Sequence, residues 1–394
     1  MKKTFKFFAL LLALVFLTCT ITGCKGGDDA KEVTLTQEEV QKVEEVAEVL
    51  DIVAEIEMPD LSDCISSVPS LMSTSKTGYN GLDSEKYQSM RLDFSVTQNS
   101  SLEFVLSDAL KEQMQEEDPT GEFLAMFQSK TEVACELKGY VLLTDTSCQF
   151  TYTSVKIETN IASMEIQMDM PFALYMDGEE VYLRYDDFKY VMASQMEGME
   201  EPLTIDAGAM VKDYLGDLLG KWIDLDNNYV SPALASYFTE AFAQCGNTLT
   251  KELNTYSEYI EENLSEKFVN KGGKYVLGST YFKGFVEELY ANTSVEDDSM
   301  DDIIPQDGGF DYNTLSGEFE FDISDMDKPK ISMSYNMDAE QTIADPTSES
   351  SDNSMTIKVA SNSSCSYAFS GFNSTTLERP TDVSGWPGLG LGIK

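Results

Sequence analysis

The sequence predicts an α+β fold in which a large antiparallel β-sheet packs against an amphipathic helix near the N-terminus. The helix is indicated by apolar residues that recur every three or four positions between Val40 and Ile56. Thr36 and Glu39 have the spacing of a capping box, so the helix should begin there, and it should end before Pro59. The sheet is indicated by several later segments in which apolar and polar residues alternate with a period of two.

Two β-hairpins are the clearest part of the predicted sheet. In the first, an alternating segment from Met164 to Met176 leads into the turn Asp177-Gly178 and a second strand, Val181 to Tyr185. In the second, Phe319 to Ile323 pairs with Ile331 to Met337 across a polar turn. Further predicted strands are Leu92–Val96, Val133–Leu143, Phe150–Ile157, Lys274–Leu277, Met355–Ala360 and Cys365–Phe369.

Helical patterns interrupt the strands twice. One covers Leu102 to Met114, and the other covers Leu234 to Tyr290, with a break at Gly272-Gly273. Both segments are therefore predicted to be helical insertions between strands.

These patterns predict a single α+β domain over residues 36–375, with the larger helical insertion at about residues 231–291. Residues 24–35 are polar and contain glycine, which is typical of a flexible tether. Residues 376–394 contain several glycines and are predicted to be a flexible tail.

The first 23 residues have the order of an export signal. Lys2, Lys3 and Lys6 form a basic start, and an uninterrupted apolar run follows from Phe7 to Leu17. A helix needs about 20 apolar residues to span a bilayer, so this run is better suited to a cleaved signal peptide than to a retained transmembrane helix.

The segment Ile21-Thr22-Gly23-Cys24 resembles the lipobox of bacterial lipoproteins. The resemblance implies cleavage before Cys24 and a diacylglyceryl group, with acyl chains such as palmitate, on its sulfur. Cys19 fits less well because Thr18 precedes it and Phe16 stands where the motif has a branched aliphatic residue. An ordinary cleaved signal with a coincidental cysteine is the alternative. We expect a protein anchored through lipidated Cys24 to the extracytoplasmic face of the cell membrane.

The composition is strongly acidic, with a formal net charge of −42 at pH 7. Removal of the signal would take away three lysines and no acidic residue, so the mature chain would be more acidic still. Such a surface repels phosphate backbones and anionic headgroups. We therefore expect no nucleic-acid partner, and membrane attachment must come from the lipid.

The chain contains no histidine. This excludes catalytic triads and dyads that use histidine, histidine general bases and zinc sites built on histidine. Asp224, Asp226 and Asn228 have the spacing of a calcium loop, but the glycine and the bidentate glutamate that such a loop needs are missing. We predict no catalytic residue, no metal site and no cofactor, and a protein that is not an enzyme. An enzyme is the third option, and it would need a preformed cleft with converging carboxylates.

Five cysteines remain after the signal is cleaved and Cys24 is acylated. They show no C-x-x-C spacing, which argues against a zinc or redox site. One disulfide is compatible with an extracytoplasmic location, and the sequence leaves its partners open. The five are Cys64, Cys135, Cys148, Cys245 and Cys365.

The apolar positions of the predicted strands are rich in methionine, a flexible and polarizable side chain that suits ligands of varied shape. The predicted ligand-lining residues of the sheet are Met164, Met168, Met170, Phe172, Met176, Phe319, Phe321, Met333, Tyr335 and Met337. Val46, Leu50 and Val53 would line the same space from the helix. The alternative is that all of these residues simply fill the core beneath the helix.

The acylated cysteine, the tether, the early helix and the long hairpins together resemble the LolA/LppX-like half-barrel lipoproteins. The likeness covers most of residues 36–372 and includes the strand segments Ala173–Gly178 and Gly220–Asp224. It implies a curved half-barrel sheet that cups a helix around an acyl-chain cavity. We therefore expect a lipoprotein that binds or carries a lipid or another apolar ligand. The alternative is a structural or interaction lipoprotein with a filled core, whose acidic surface binds a cationic partner or the cell wall.

Overall fold

In the computed structural model, residues 87–117, 130–161, 164–178, 180–195, 202–224, 267–285, 311–344 and 354–384 are described, with positions 36–38, 41, 82, 253, 256, 259, 260 and 263. The predicted export signal and Cys24 lie outside these residues.

A single large sheet of 15 strands dominates the described residues. Its strands are β1 (Ser89–Leu106), β2 (Thr131–Thr144), β3 (Ser147–Ile161), β4 (Met164–Asp169), β5 (Phe172–Asp177), β6 (Glu180–Tyr185), β7 (Lys189–Ser194), β8 (Leu203–Asp206), β9 (Trp222–Asp224), β10 (Phe268–Asn270), β11 (Lys274–Leu277), β12 (Asp311–Asp322), β13 (Lys330–Ala344), β14 (Ser354–Ser370) and β15 (Val383–Ser384). Helix α1 spans Asp108–Glu117, α2 spans Ala207–Leu215, and a 3₁₀ turn follows at Gly216–Leu218.

The strands are hydrogen-bonded in the order β10-β11-β12-β13-β14-β1-β2-β3-β5-β6-β9-β15. All pairs are antiparallel except β9 and β15, which are parallel. The sheet forks at β3, because the start of this strand pairs with β5 and its end pairs with β4. Strands β4, β7 and β8 form a side wing on the second branch.

Both predicted hairpins are confirmed, with one change. The segment from Met164 to Met176 forms two strands, β4 and β5, and the chain breaks between them at Met170-Pro171. Proline has no N–H to donate to a strand ladder, so the pairing stops there. Gly178 closes the first hairpin at a φ of 57°, which suits glycine in a tight turn.

The helix predicted over Leu102 to Met114 is wrong for its first part. Strand β1 continues to Leu106, because Leu102, Phe104 and Leu106 alternate on one face and pair with β14. Helix α1 begins only at Asp108, where the Ser107 hydroxyl accepts a hydrogen bond from the Leu110 amide at 3.3 Å.

The insertion predicted to be helical contains both helix and strand. Positions 253, 256, 259, 260 and 263 are helical, whereas β10 and β11 form a hairpin across Gly272-Gly273. The two glycines have φ angles of 77° and 92°, so the break in the pattern marks a strand turn. This part of the helical prediction was wrong, and the strand predicted at Lys274–Leu277 is confirmed as β11.

The two ends of the domain are described only in part. Gln37, Glu38 and Gln41 are helical, while the remaining residues of the predicted N-terminal helix, Val46, Leu50 and Val53 among them, lie outside the described residues. Within the predicted flexible tail, Val383 and Ser384 instead form β15 beside Trp222 and Ile223.

The antiparallel register separates the side chains onto two faces. Cross-strand partners lie on the same face, and successive residues along a strand alternate between faces. Phe94, Tyr367, Ile331 and Phe321 stand opposite one another in turn and are all buried, which defines the inner face. Their sequence neighbours lie on the outer face.

Helical residues pack on the inner face through aromatic rings. Tyr256 lies with its ring centroid 5.4 Å from that of Phe319, and Phe285 lies 4.6 Å from both Phe319 and Tyr259. These rings are at most 1% exposed. The insertion therefore supplies a cover for the sheet.

Gly317 permits one close contact in this packing. A Cβ atom at this position would lie 2.8 Å from the Phe282 ring and 2.4 Å from the Ser334 carbonyl oxygen. Phe282 is fully buried, so the ring has little freedom to move away. The glycine lets the aromatic ring rest directly on the strand backbone.

We predict that Gly317→Ala destabilises the protein by about 1–3 kcal/mol, the usual cost of overpacking a dense core. The measurement is the urea unfolding midpoint. Gly284→Ala is the matched control, because the helical, exposed Gly284 has no atom within 4 Å of the added Cβ and alanine favours helix. Equal midpoints for the two variants would contradict the packing argument.

Candidate functional site

The structure places all ten predicted lining residues of the sheet on the inner face or in its core. Five of the ten are fully buried: Met170, Phe172, Met176, Phe319 and Phe321 are at most 2% exposed. They belong to one large hydrophobic cluster, the main core, in which Tyr152 stacks on Phe172 with centroids 4.5 Å apart. This region is filled by protein side chains.

A group of polar side chains lies on the inner faces of β1 and β14, next to the main core. This polar belt consists of Gln98, Ser100, Ser361 and Ser363, all at most 9% exposed. Gln98 donates from Nε2 to the Ser100 hydroxyl at 2.6 Å, and the Ser100 and Ser361 hydroxyls lie 3.0 Å apart. Ser363 donates to the Thr97 carbonyl oxygen at 3.2 Å.

Beyond the polar belt the inner face becomes apolar again. A small cluster lies on β1, β12, β13 and β14 and is buried at 8% exposure or less. Its members are Leu102, Leu315, Met337, Ala339, Ile357 and Val359. Of the predicted lining residues, only Met337 belongs to this small cluster, and it stands opposite Ser361 of the polar belt.

Two cross-strand rows connect this small cluster with the side wing. The first row runs through Leu315, Met337, Ser361, Ser100, Val133, Thr159, Ile166, Met192 and Ile205. The second runs through Tyr312, Ala339, Val359, Leu102, Thr131, Ile161, Met164, Ser194 and Leu203. Neither row contains a charged residue.

Exposure along these rows increases toward β8. Ile166 is 5% exposed, Met164 and Met192 are half-buried, and Leu203 and Ile205 are 45% and 47% exposed. These last four residues form an apolar strip on the side wing. Of them, the sequence predicted only Met164, because β7 and β8 are too short to show a clear alternation.

The outer face carries a polar groove with a volume of about 400 Å³. It crosses β13, β14, β1, β2 and β3, and its outer-face residues are Asn99, Ser101, Glu132, Ala134, Glu158, Asn160, Asn336, Ala360 and Asn362. A second groove of about 280 Å³ lies nearby on β12, β13, β14 and β1 and is lined by serines with Glu318 and Glu320. The sequence reasoning missed both grooves, because small polar residues on strands looked like ordinary solvated positions.

Glu136 lies beside the larger groove at the centre of an ion cluster. Its carboxylate accepts hydrogen bonds from Lys138 at 2.6 Å, Ser154 at 2.8 Å and Lys156 at 2.9 Å. These donors lower the pKa of Glu136 from 4.5 to about 2, with the Lys138 hydrogen bond as the largest cause. The lowered pKa means that folding favours the ionised carboxylate.

Glu136→Gln should therefore lower the free energy of unfolding at pH 7. This loss of stability should become smaller in acid. The stabilisation is complete above about pH 4.5 and disappears as the pH falls toward 2, because protonation removes the ion pairs. The group is near the surface, so the difference at pH 7 should not exceed about 1 kcal/mol. Urea midpoints at pH 7 and pH 3 measure it, with Glu103→Gln, at an exposed position of β1, as the control. If Glu136→Gln lowers the urea midpoint by the same amount at pH 7 and at pH 3, this account is refuted.

Other features of the described residues bear on the sequence predictions. Cys135, Cys148 and Cys365 form no disulfide with one another, and burial raises the pKa of the Cys148 thiol. Cys64 and Cys245 lie outside the described residues.

Among the residues that the structure describes, no group of acidic or cysteine side chains is arranged to hold a metal ion. In the same part of the chain, no helix is long and apolar enough to cross a membrane.

No family model, no curated protein and no solved structure matches this chain.

Proposed function

We propose that this protein is a membrane-anchored extracytoplasmic lipoprotein that binds or carries a lipid or another apolar ligand on the side wing. The observation that carries the proposal is the apolar strip, where two uncharged inner-face rows end in Leu203 and Ile205, at 45% and 47% exposure. Contiguous exposed apolar residues often mark binding sites.

The chemistry of the strip suits an acyl chain or a similar ligand. Met164 and Met192 offer flexible, polarizable side chains beside the branched Ile205 and Leu203. The strip borders buried apolar residues such as Ile166, so a ligand chain laid along it would extend an existing apolar surface. Its burial would contribute about 25 cal/mol per Å² of apolar area.

The proposed binding site lies on another part of the inner face than the ligand-lining residues that the sequence predicts. Phe172 and Phe319 are packed against other rings in the main core, which leaves their surfaces covered by protein. In the proposed fold, the sheet curves as a half-barrel and the N-terminal helix over residues 36–56 packs on the inner face. Val46, Leu50 and Val53 would then form the opposite wall of the ligand site.

Ile205→Asn should weaken binding of a neutral apolar fluorescent probe, N-phenyl-1-naphthylamine, by about tenfold, because it removes apolar contact worth about 1–2 kcal/mol. Fluorescence titration of residues 25–394 measures the affinity, and solvent extraction of the same preparation identifies copurifying lipid. Val105→Asn is the matched control, since Val105 is a branched residue, 38% exposed, on the outer face of β1.

The proposal fails if no lipid is recovered and the unchanged protein does not bind the probe. It also fails if Ile205→Asn and Val105→Asn both bind the probe as tightly as the unchanged protein does. That result would favour the second candidate, a structural or interaction lipoprotein. The filled main core and the net charge of −42 favour this candidate. Its contacts with a cationic partner or the cell wall would weaken with added salt.

Attachment is assigned to the thioether lipid of Cys24. We expect Cys24→Ser to release the protein from the membrane or to leave its signal uncleaved, because the acidic chain offers no basic patch to replace the lipid. Membrane fractionation with an immunoblot for size measures both outcomes. A mature, membrane-bound Cys24→Ser protein would refute lipid anchoring at this residue.

A further inference from the structure

The larger outer groove has a floor of small side chains on three adjacent strands. Ala360 on β14 stands opposite Ser101 on β1, and Ala134 occupies the next strand, β2. Adjacent strands are about 4.8 Å apart, so the floor is about 10 Å wide. The two alanine methyl groups give this floor an apolar surface.

Amide side chains form one wall of the groove in a single cross-strand row. Asn336, Asn362 and Asn99 are register partners on β13, β14 and β1. Asn362 donates from Nδ2 to Oδ1 of Asn336 at 2.9 Å. Among the described residues, the Asn99 amide has no side-chain partner, and it therefore offers both a donor and an acceptor to the groove.

The end of the groove on β2 and β3 adds acceptors and a further amide. Asn160 and Glu158 on β3 and Glu132 on β2 line it, and Glu132 is paired with Lys130 at 2.9 Å. None of the described residues that line the groove is a lysine or an arginine. Among the described residues Glu158 has no ion pair, and such a carboxylate repels phosphates and other anions, so the groove disfavours an anionic ligand.

We infer that this groove binds an uncharged saccharide. A sugar ring has a flat C–H face and a rim of hydroxyl groups, and the groove has a methyl-bearing floor with amides and carboxylates at its sides. In an oligosaccharide, the C–H face of one ring would lie on Ala360 and that of another ring on Ala134, while hydroxyls would donate to Glu158 and exchange hydrogen bonds with Asn99. A volume of about 400 Å³ is within the usual range for small-molecule sites. This inference is independent of the apolar strip on the other face.

Isothermal titration of residues 25–394 with neutral trisaccharides, chitotriose and cellotriose, tests the inference. We expect at least one to bind. Asn99→Ala should weaken that binding about tenfold through a lost hydrogen bond, and Ala360→Leu should abolish it by filling the floor. Ala193→Leu is the matched control, because Ala193 lies on the same face of β7, outside the groove. It should leave the affinity unchanged.

Either of two results overturns the inference: no binding of either trisaccharide at about 10 mM, or equal binding by all four proteins. Displacement of the bound sugar by a short lysine peptide, with tighter binding of the peptide, would instead assign the groove to a cationic partner. If Ala360→Leu fails to fold, Asn99→Ala decides alone, since its exposed side chain packs against nothing in the core.

Discussion

The antiparallel register of the long central strands is the constraint on which the rest of the structure depends. It places Phe94, Tyr367, Ile331 and Phe321 on one face, and a shift of one residue in any strand would turn its aromatic side chains to solvent. The packing above this face is equally demanding, because Gly317 leaves room for a ring that no larger residue would allow. The register of the central strands and the packing on their inner face therefore stabilise each other.

The same register produces two surfaces of opposite character. On the inner face, two uncharged rows begin in the buried small cluster near β12 and end in the exposed strip on the side wing. On the outer face, small residues stand together on β14, β1 and β2 and leave a groove between longer neighbours. The four residues of the strip do not belong to the main core, so a ligand on the strip need not disturb that core.

The sequence predicted most strands because alternation is a local signal, and the hairpins at Gly178 and between β12 and β13 followed from it. It did not predict the fork at β3, because a strand's own residues do not specify which later strands pair with each half. Leu102–Leu106 was assigned to helix because a short apolar segment fits both periods, and only its pairing with β14 decides. The two candidate sites were harder to predict than the strands. Ile205 is on a four-residue strand, which is too short to show alternation. Asn99, Asn362 and Asn336 lie on different strands, and only the register brings them together.

Anchoring at Cys24 would determine how the two surfaces meet their ligands. If the folded domain begins at residue 36, the tether at residues 24–35 spans at most about 40 Å when fully extended, at 3.3–3.6 Å per residue, and keeps the domain close to the bilayer. Repulsion between its acidic surface and anionic headgroups acts only within a Debye length of about 8 Å. The domain could therefore approach a membrane closely, while net repulsion disfavours lasting contact. The apolar strip has no charged residues, so it is the surface best suited to such brief approaches to the membrane. The polar groove on the opposite face would then be directed toward solvent.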